Sequence, residues 1–216
     1  MATVDRQRIE AAVAELLAAV GDDPARAELR DTPRRVAELY AELYAGVGHD
    51  PAGALGSTFE TPDAATPANP RPPAQAAAGE PESSPSGRPV LLRDIAFRSV
   101  CEHHLLPFEG VAHVAYEPDR IIAGLGGIVS VIECAASRPQ LQERLTDDIA
   151  EAIERGLGAR GVLVVLDARH GCVTARGPRQ TASTTVTLAA RGSLAEPAAR
   201  AELMSLIAAP TRGATP

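Results

Sequence analysis

The chain has 216 residues, a formal net charge of −7, and no lysine, so that every basic side chain other than histidine is arginine. That acidic balance gives no footing for a nucleic-acid binder, and no apolar run reaches the roughly 18 residues a membrane-spanning helix needs. Aromatic residues are 3% of the chain, so the core must be aliphatic.

Ile9, Val13, Leu16, Leu17 and Val20 recur at helical spacing and predict an amphipathic helix from about residue 5 to 20. Gly21 and Pro24 end it. In Asp31-Thr32-Pro33, Thr32 suits a helix cap and Pro33 the first helical position. Val36, Leu39, Tyr40, Leu43 and Tyr44 then form one apolar stripe suited to packing. Composition shifts after Phe59. Residues 61–88 are mostly Pro, Ala, Ser, Gly and Glu, and such a segment buries too little to offset its ordering entropy. It reads as a flexible linker between an N-terminal helical region, 1–60, and a denser domain, 89–192. A C-terminal helix and tail, 193–216, follow.

The denser domain opens with a strand, Val90 to Phe97. A second strand spans Val111 to Tyr116, with His113 on its face. Ile128 to Ala136 reads as a short helix containing Cys134. In the next helix Leu141, Leu145, Ile149, Ile153 and Leu157 step by four. Val162 to Leu166 is a β-rich run, and Cys172 to Arg176 and Thr184 to Leu188 read as further strands. The order strand, strand, helix, helix, strand, strand predicts an α+β domain, an antiparallel sheet with two helices on one face. Ala199 to Ile207 is a last short helix.

Chemistry concentrates in Cys101-Glu102-His103-His104 and, farther on, His170-Gly171-Cys172. The chain has only three cysteines and five histidines. Cys101 and His104 form a C-x-x-H pair able to reach one ion, and Cys172 offers a third ligand. Catalytic zinc keeps one position open, whereas structural zinc usually has four protein ligands. Three ligands with two spare histidines therefore point to catalysis. The residues alone leave a second reading open, in which the cysteines are ordinary buried thiols and the histidines lie on the surface. The N-terminus lacks the charged start and apolar stretch of a signal peptide. A cytoplasmic, reducing location is expected, where cysteines serve metals or catalysis more often than disulfides.

Four separated motifs resemble GTP cyclohydrolase I. They are Asp31-Thr32-Pro33-Arg34-Arg35-Val36-Ala37, Cys101-Glu102-His103-His104, Arg138-Pro139-Gln140-Leu141-Gln142-Glu143-Arg144-Leu145-Thr146, and His170-Gly171-Cys172-Val173-Thr174-Ala175-Arg176-Gly177. The resemblance implies a tunnelling fold, ββααββ, assembled as a homo-oligomeric ring, usually of ten subunits. It implies zinc held by Cys101, His104 and Cys172, with His103 and His170 as acid/base histidines. It implies GTP as the substrate, opened at C8 of its imidazole ring with loss of formate to give dihydroneopterin triphosphate. By the same resemblance Glu143 accepts hydrogen bonds from the guanine edge with Gln142 beside it, and Arg35, Arg176 and Arg179 serve the phosphates. The chain departs from the family where Gly126-Gly127 replaces Ser-Lys, Ser130 replaces Arg, and Glu38 replaces Lys. Two alternatives accompany the main expectation: a diverged cyclohydrolase for a less phosphorylated guanine nucleotide or related purine, and a non-catalytic zinc- or pterin-binding ring.

Overall fold

The computed structural model describes residues 4–60 and 88–210. The expected linker therefore lies outside the described residues, apart from Arg88. Helix α1 (Arg6–Ala19) starts where Asp5 accepts a hydrogen bond from the Arg8 amide at 3.0 Å, the N-cap arrangement that satisfies an otherwise orphaned donor. Helix α2 (Thr32–Leu43) has Pro33 in its first turn, but Asp31, not Thr32, occupies its N-cap and makes no capping bond with its side chain. A short 3-10 turn, Pro51–Leu55, leads into β1 (Thr58–Glu60).

The main sheet is built from β2 (Val90–Cys101), β3 (Pro107–Glu117), β6 (Gly161–His170) and β7 (Thr185–Gly192), each antiparallel to the next. A two-residue strand, β5 (Pro139–Gln140), adds to the outer side of β2 in parallel, so the sheet is mixed, not wholly antiparallel. Strand β4 (Ile121–Ala123) pairs with β1 as a separate ribbon. Helices α3 (Leu125–Ala136) and α4 (Gln142–Leu157) follow. They cover the sheet face that presents Ala112, Val114, Val162, Val164 and Leu166. The four-residue step expected along α4 is what buries Leu145, Ile149, Ile153 and Leu157 in that core. Each such side chain contributes roughly 1.5–3 kcal/mol relative to exposure. On the opposite face Ala115, Leu163 and Val165 pack under α6 (Pro197–Ala208) through Leu203, Met204 and Ile207.

The strand expected over Cys172–Arg176 is a short helical turn instead, α5 (Gly171–Thr174). The cause is the reach of the neighbouring strands. Strand β6 runs on to His170, opposite Phe108, but its pairing with β7 stops at Ala168 and Thr185. Among the described residues no strand pairs with the segment past His170, and the chain leaves the sheet there. The ββααββ order itself is as expected.

Candidate metal centre and active site

Strand β3 lies between β2 and β6, and this explains how two distant motifs meet. The end of β2 pairs Val100 with Pro107, while the end of β6 pairs His170 with Phe108. Both motifs therefore flank the first residues of β3. Ligand atoms of Cys101, His170 and Cys172 lie within 4.8 Å of one another. Gly171 permits the approach, because a Cβ on it would stand 2.8 Å from the Pro107 carbonyl oxygen.

The turn after Cys101 is held by the backbone. The Leu105 amide donates to the Cys101 carbonyl at 2.9 Å, and the Cys101 amide donates to the Leu106 carbonyl at 2.9 Å. Leu105 takes the left-handed conformation, φ 53°. The Glu102 amide donates to the Gln140 carbonyl at 3.0 Å, and the Glu102 carboxylate accepts from both Arg144 terminal nitrogens at 2.7 and 3.3 Å. These contacts tie the turn to β5 and to the start of α4. His103 and His104 stand exposed on it, ring centroids 6.3 Å apart.

His170 is held on two sides. Its ring stacks on Phe108, centroids 4.7 Å apart and planes within 4° of parallel. Its Nε2 lies 2.6 Å from Oε1 of Gln142. Burial pushes the imidazole pKa below its ordinary value, and the nearby Glu143 carboxylate opposes that shift. Burial pushes the Cys172 thiol up, the neighbouring Cys101 adds to it, and Arg176 works against both. No disulfide joins the cysteines. A buried thiol beside a half-buried one whose ionisation is hindered, next to an imidazole, suits a cation placed among them, and that donor set is zinc's.

The remaining expected residues are distributed around this group. His104 shares the Cys101 turn but is outside the cluster of three. Glu143 is exposed on the first turn of α4, within electrostatic reach of His170. Arg176 is exposed and acts on Cys172. Arg179 is exposed with φ 50°, its amide 3.3 Å from the Arg176 carbonyl. Arg35 sits on α2, with Asp31 at 3.8 Å as its ion partner. Gln142 is 1% exposed, with its amide engaged by β6 and β7. Sequence reasoning missed Phe108 as the ring under His170 and Arg144 as the partner of Glu102. Both follow from strand register and helix placement, for which a single sequence carries no direct signal.

A two-thiol, one-imidazole group beside further histidines and an exposed carboxylate, on a ββααββ frame, defines a zinc-dependent hydrolase. Residues 9–208 match the family model for GTP cyclohydrolase I. A GTP cyclohydrolase 1 of Leifsonia xyli is 59% identical over 209 residues, covering 96% of this chain and 97% of that protein. That of Streptomyces griseus is 45% identical, covering 95% and 92%, and that of Carboxydothermus hydrogenoformans 45%, covering 94% and 95%. The chain belongs to the GTP cyclohydrolase I family, and its cysteine–histidine cluster matches the zinc site of that family.

Proposed function

We propose that the chain opens the imidazole ring of GTP at C8, releases formate and forms 7,8-dihydroneopterin triphosphate. The observation that carries this reading is the meeting of Cys101, Cys172 and His170 at one end of the sheet in a chain of this family. Zinc, when bound, lowers the pKa of water toward neutrality and so makes a nucleophile available.

Cys101, His104 and Cys172 are the proposed zinc ligands. His104 is on the same turn as Cys101 and exposed. His170 and His103 carry protons to and from the opening ring and the rearranging sugar, work that imidazoles suit near neutrality. Glu143 accepts from the guanine edge, since an ionised carboxylate is acceptor-only and can take two N–H donors. Gln142, expected beside the guanine, has its amide engaged inside the chain, so that edge falls to Glu143. Arg176 and Arg179 lie after the Cys172 turn as candidates for the phosphates, with Arg35 on α2 as a third.

The exposure of His103, His104, Glu143 and Arg176 around a half-buried cluster supports a site completed by a neighbouring chain. We take the assembly to be a homo-oligomeric ring, of ten subunits by family resemblance. Among the described residues no helix is long and apolar enough to cross a membrane, and the proposed location is cytoplasmic.

One observation favours a second reading, a preference for fewer phosphates. Glu38 is bonded to Arg34 at 2.7 Å, and a Cβ at Gly127 would stand 2.1 Å from the Leu55 carbonyl oxygen. Neither position holds a cation for a triphosphate. Formate release from GTP, GDP, GMP and guanosine, measured with zinc content, tests both readings. A kcat/KM for GTP several hundredfold above that for GMP supports the triphosphate substrate. Equal values support the second reading, and no formate from any of them overturns both.

A further inference from the structure

We propose that Gln142 is a positioning residue that fixes His170 as the Nε2–H tautomer, leaving Nδ1 as its one basic nitrogen. The argument starts from which end of the amide is which. Gln142 Nε2 lies 3.2 Å from the Leu166 carbonyl oxygen and 2.8 Å from the Thr185 carbonyl oxygen. Backbone carbonyls only accept, so the atom facing them must be the NH2 group. A third neighbour, Thr187 Oγ1 at 3.2 Å, is itself 2.6 Å from Thr146 Oγ1. Turning the amide over would set its oxygen against two carbonyl oxygens, with no donor between them.

With the NH2 group so placed, Oε1 faces His170 Nε2 at 2.6 Å. An amide oxygen can only accept, so the hydrogen between them belongs to His170. The ring plane is set independently by the stack on Phe108. A neutral His170 then keeps its lone pair on Nδ1, whether that nitrogen takes up a proton or meets a metal. The tautomer of a histidine is set by the hydrogen bond of its other nitrogen, and here the partner is a buried amide anchored to two strands. This role rests on the proposed reaction only for its catalytic consequence. The tautomer itself is a property of the folded chain.

The test is 15N solid-state NMR of zinc-loaded, 15N-histidine-labelled protein at pH 8, where five histidines give a short spectrum. A His170→Asn sample assigns the signal. A protonated, pyrrole-like Nε2 with Nδ1 lacking a proton is expected. A proton on Nδ1 with a pyridine-like Nε2 overturns the proposal, as does a doubly protonated ring. Thr187→Val should leave the tautomer unchanged, because the two carbonyls still hold the amide. Gln142→Met, close in volume but without donor or acceptor, should mix the tautomers. It should lower kcat by about tenfold to a hundredfold, as small misplacements of reacting groups do, with KM for GTP within about twofold. A large rise in KM with an unchanged tautomer would show that Gln142 contacts the base and would overturn the positioning role. Loss of all GTP activity in the parent chain would sink the proposed function and leave the tautomer result standing.

Discussion

At the residue scale the site depends on a few side chains whose removal should separate metal binding from turnover. Cys101→Ala or Cys172→Ala takes away a thiolate ligand and should lose both zinc, by metal analysis of the purified protein, and formate release. His103→Ala and His170→Ala should keep zinc and lose turnover by about a hundredfold or more, the scale of a missing general acid or base. Zinc lost from the His170 variant, but kept by His104→Ala, would reverse the two histidines' roles. Gly171 gives a further readout. A Cβ there meets a backbone oxygen that cannot step aside. Gly171→Ala should therefore displace Cys172 and lower zinc occupancy although it removes no ligand.

At the element scale two contacts bear on how the frame responds to change. Gly127, near the start of α3, lies so close to the Leu55 carbonyl that any side chain must push the 3-10 turn away. Gly127→Lys alone should destabilise the chain by about 1–3 kcal/mol, the usual range for overpacking, measured by urea denaturation. Restoring a family-type lysine there would therefore also require a change around Leu55.

The other contact is on the sheet face away from α3 and α4. His113 on β3 is 7% exposed, and its Nδ1 accepts from the Asp94 amide at 3.2 Å. Burial holds its pKa below 6.5, with Arg93 adding to that shift and Asp94 and Asp167 opposing it. The fold therefore binds this proton less readily than the unfolded chain does. The stability contributed by the neutral ring is complete above pH 6.5 and declines as pH falls below that value toward the depressed folded pKa. His113→Gln should flatten the fall in denaturation midpoint between pH 6.5 and 5. An unchanged slope would show that other groups control it.

At the scale of the whole molecule, the sheet of the described residues ends on one side at β7. Strand β7 is last in the order, and Val186 and Leu188 on it are 59% and 44% exposed. An exposed apolar edge strand is a template for pairing with another chain. Sedimentation velocity should show a species several times the 22.4 kDa chain mass. Val186→Lys should weaken that assembly and turnover together while leaving the circular dichroism spectrum intact. A fully active monomer would remove the case for a site shared between chains.

Much of this was legible in the residues themselves. The four-residue step of Leu145, Ile149 and Ile153 determines which face of α4 is buried, because helix period and apolar spacing coincide. The alternation in β3 and the apolar run in β6 likewise specify strands. The two cysteine-containing motifs are local strings whose chemistry survives without coordinates. Tertiary structure alone decided what those motifs meet. Placing β3 between β2 and β6 brings Cys101 to Cys172, a matter of strand order that no local pattern encodes. The end of β7 pairing at Thr185 turns the Cys172 segment from strand to helical turn. Gln142 was the least legible: the resemblance placed it beside the guanine edge, whereas the fold buries it with its NH2 group on carbonyls of two strands. A buried polar side chain takes its role from the partners the fold brings to it, and those partners lie 24 and 43 residues away.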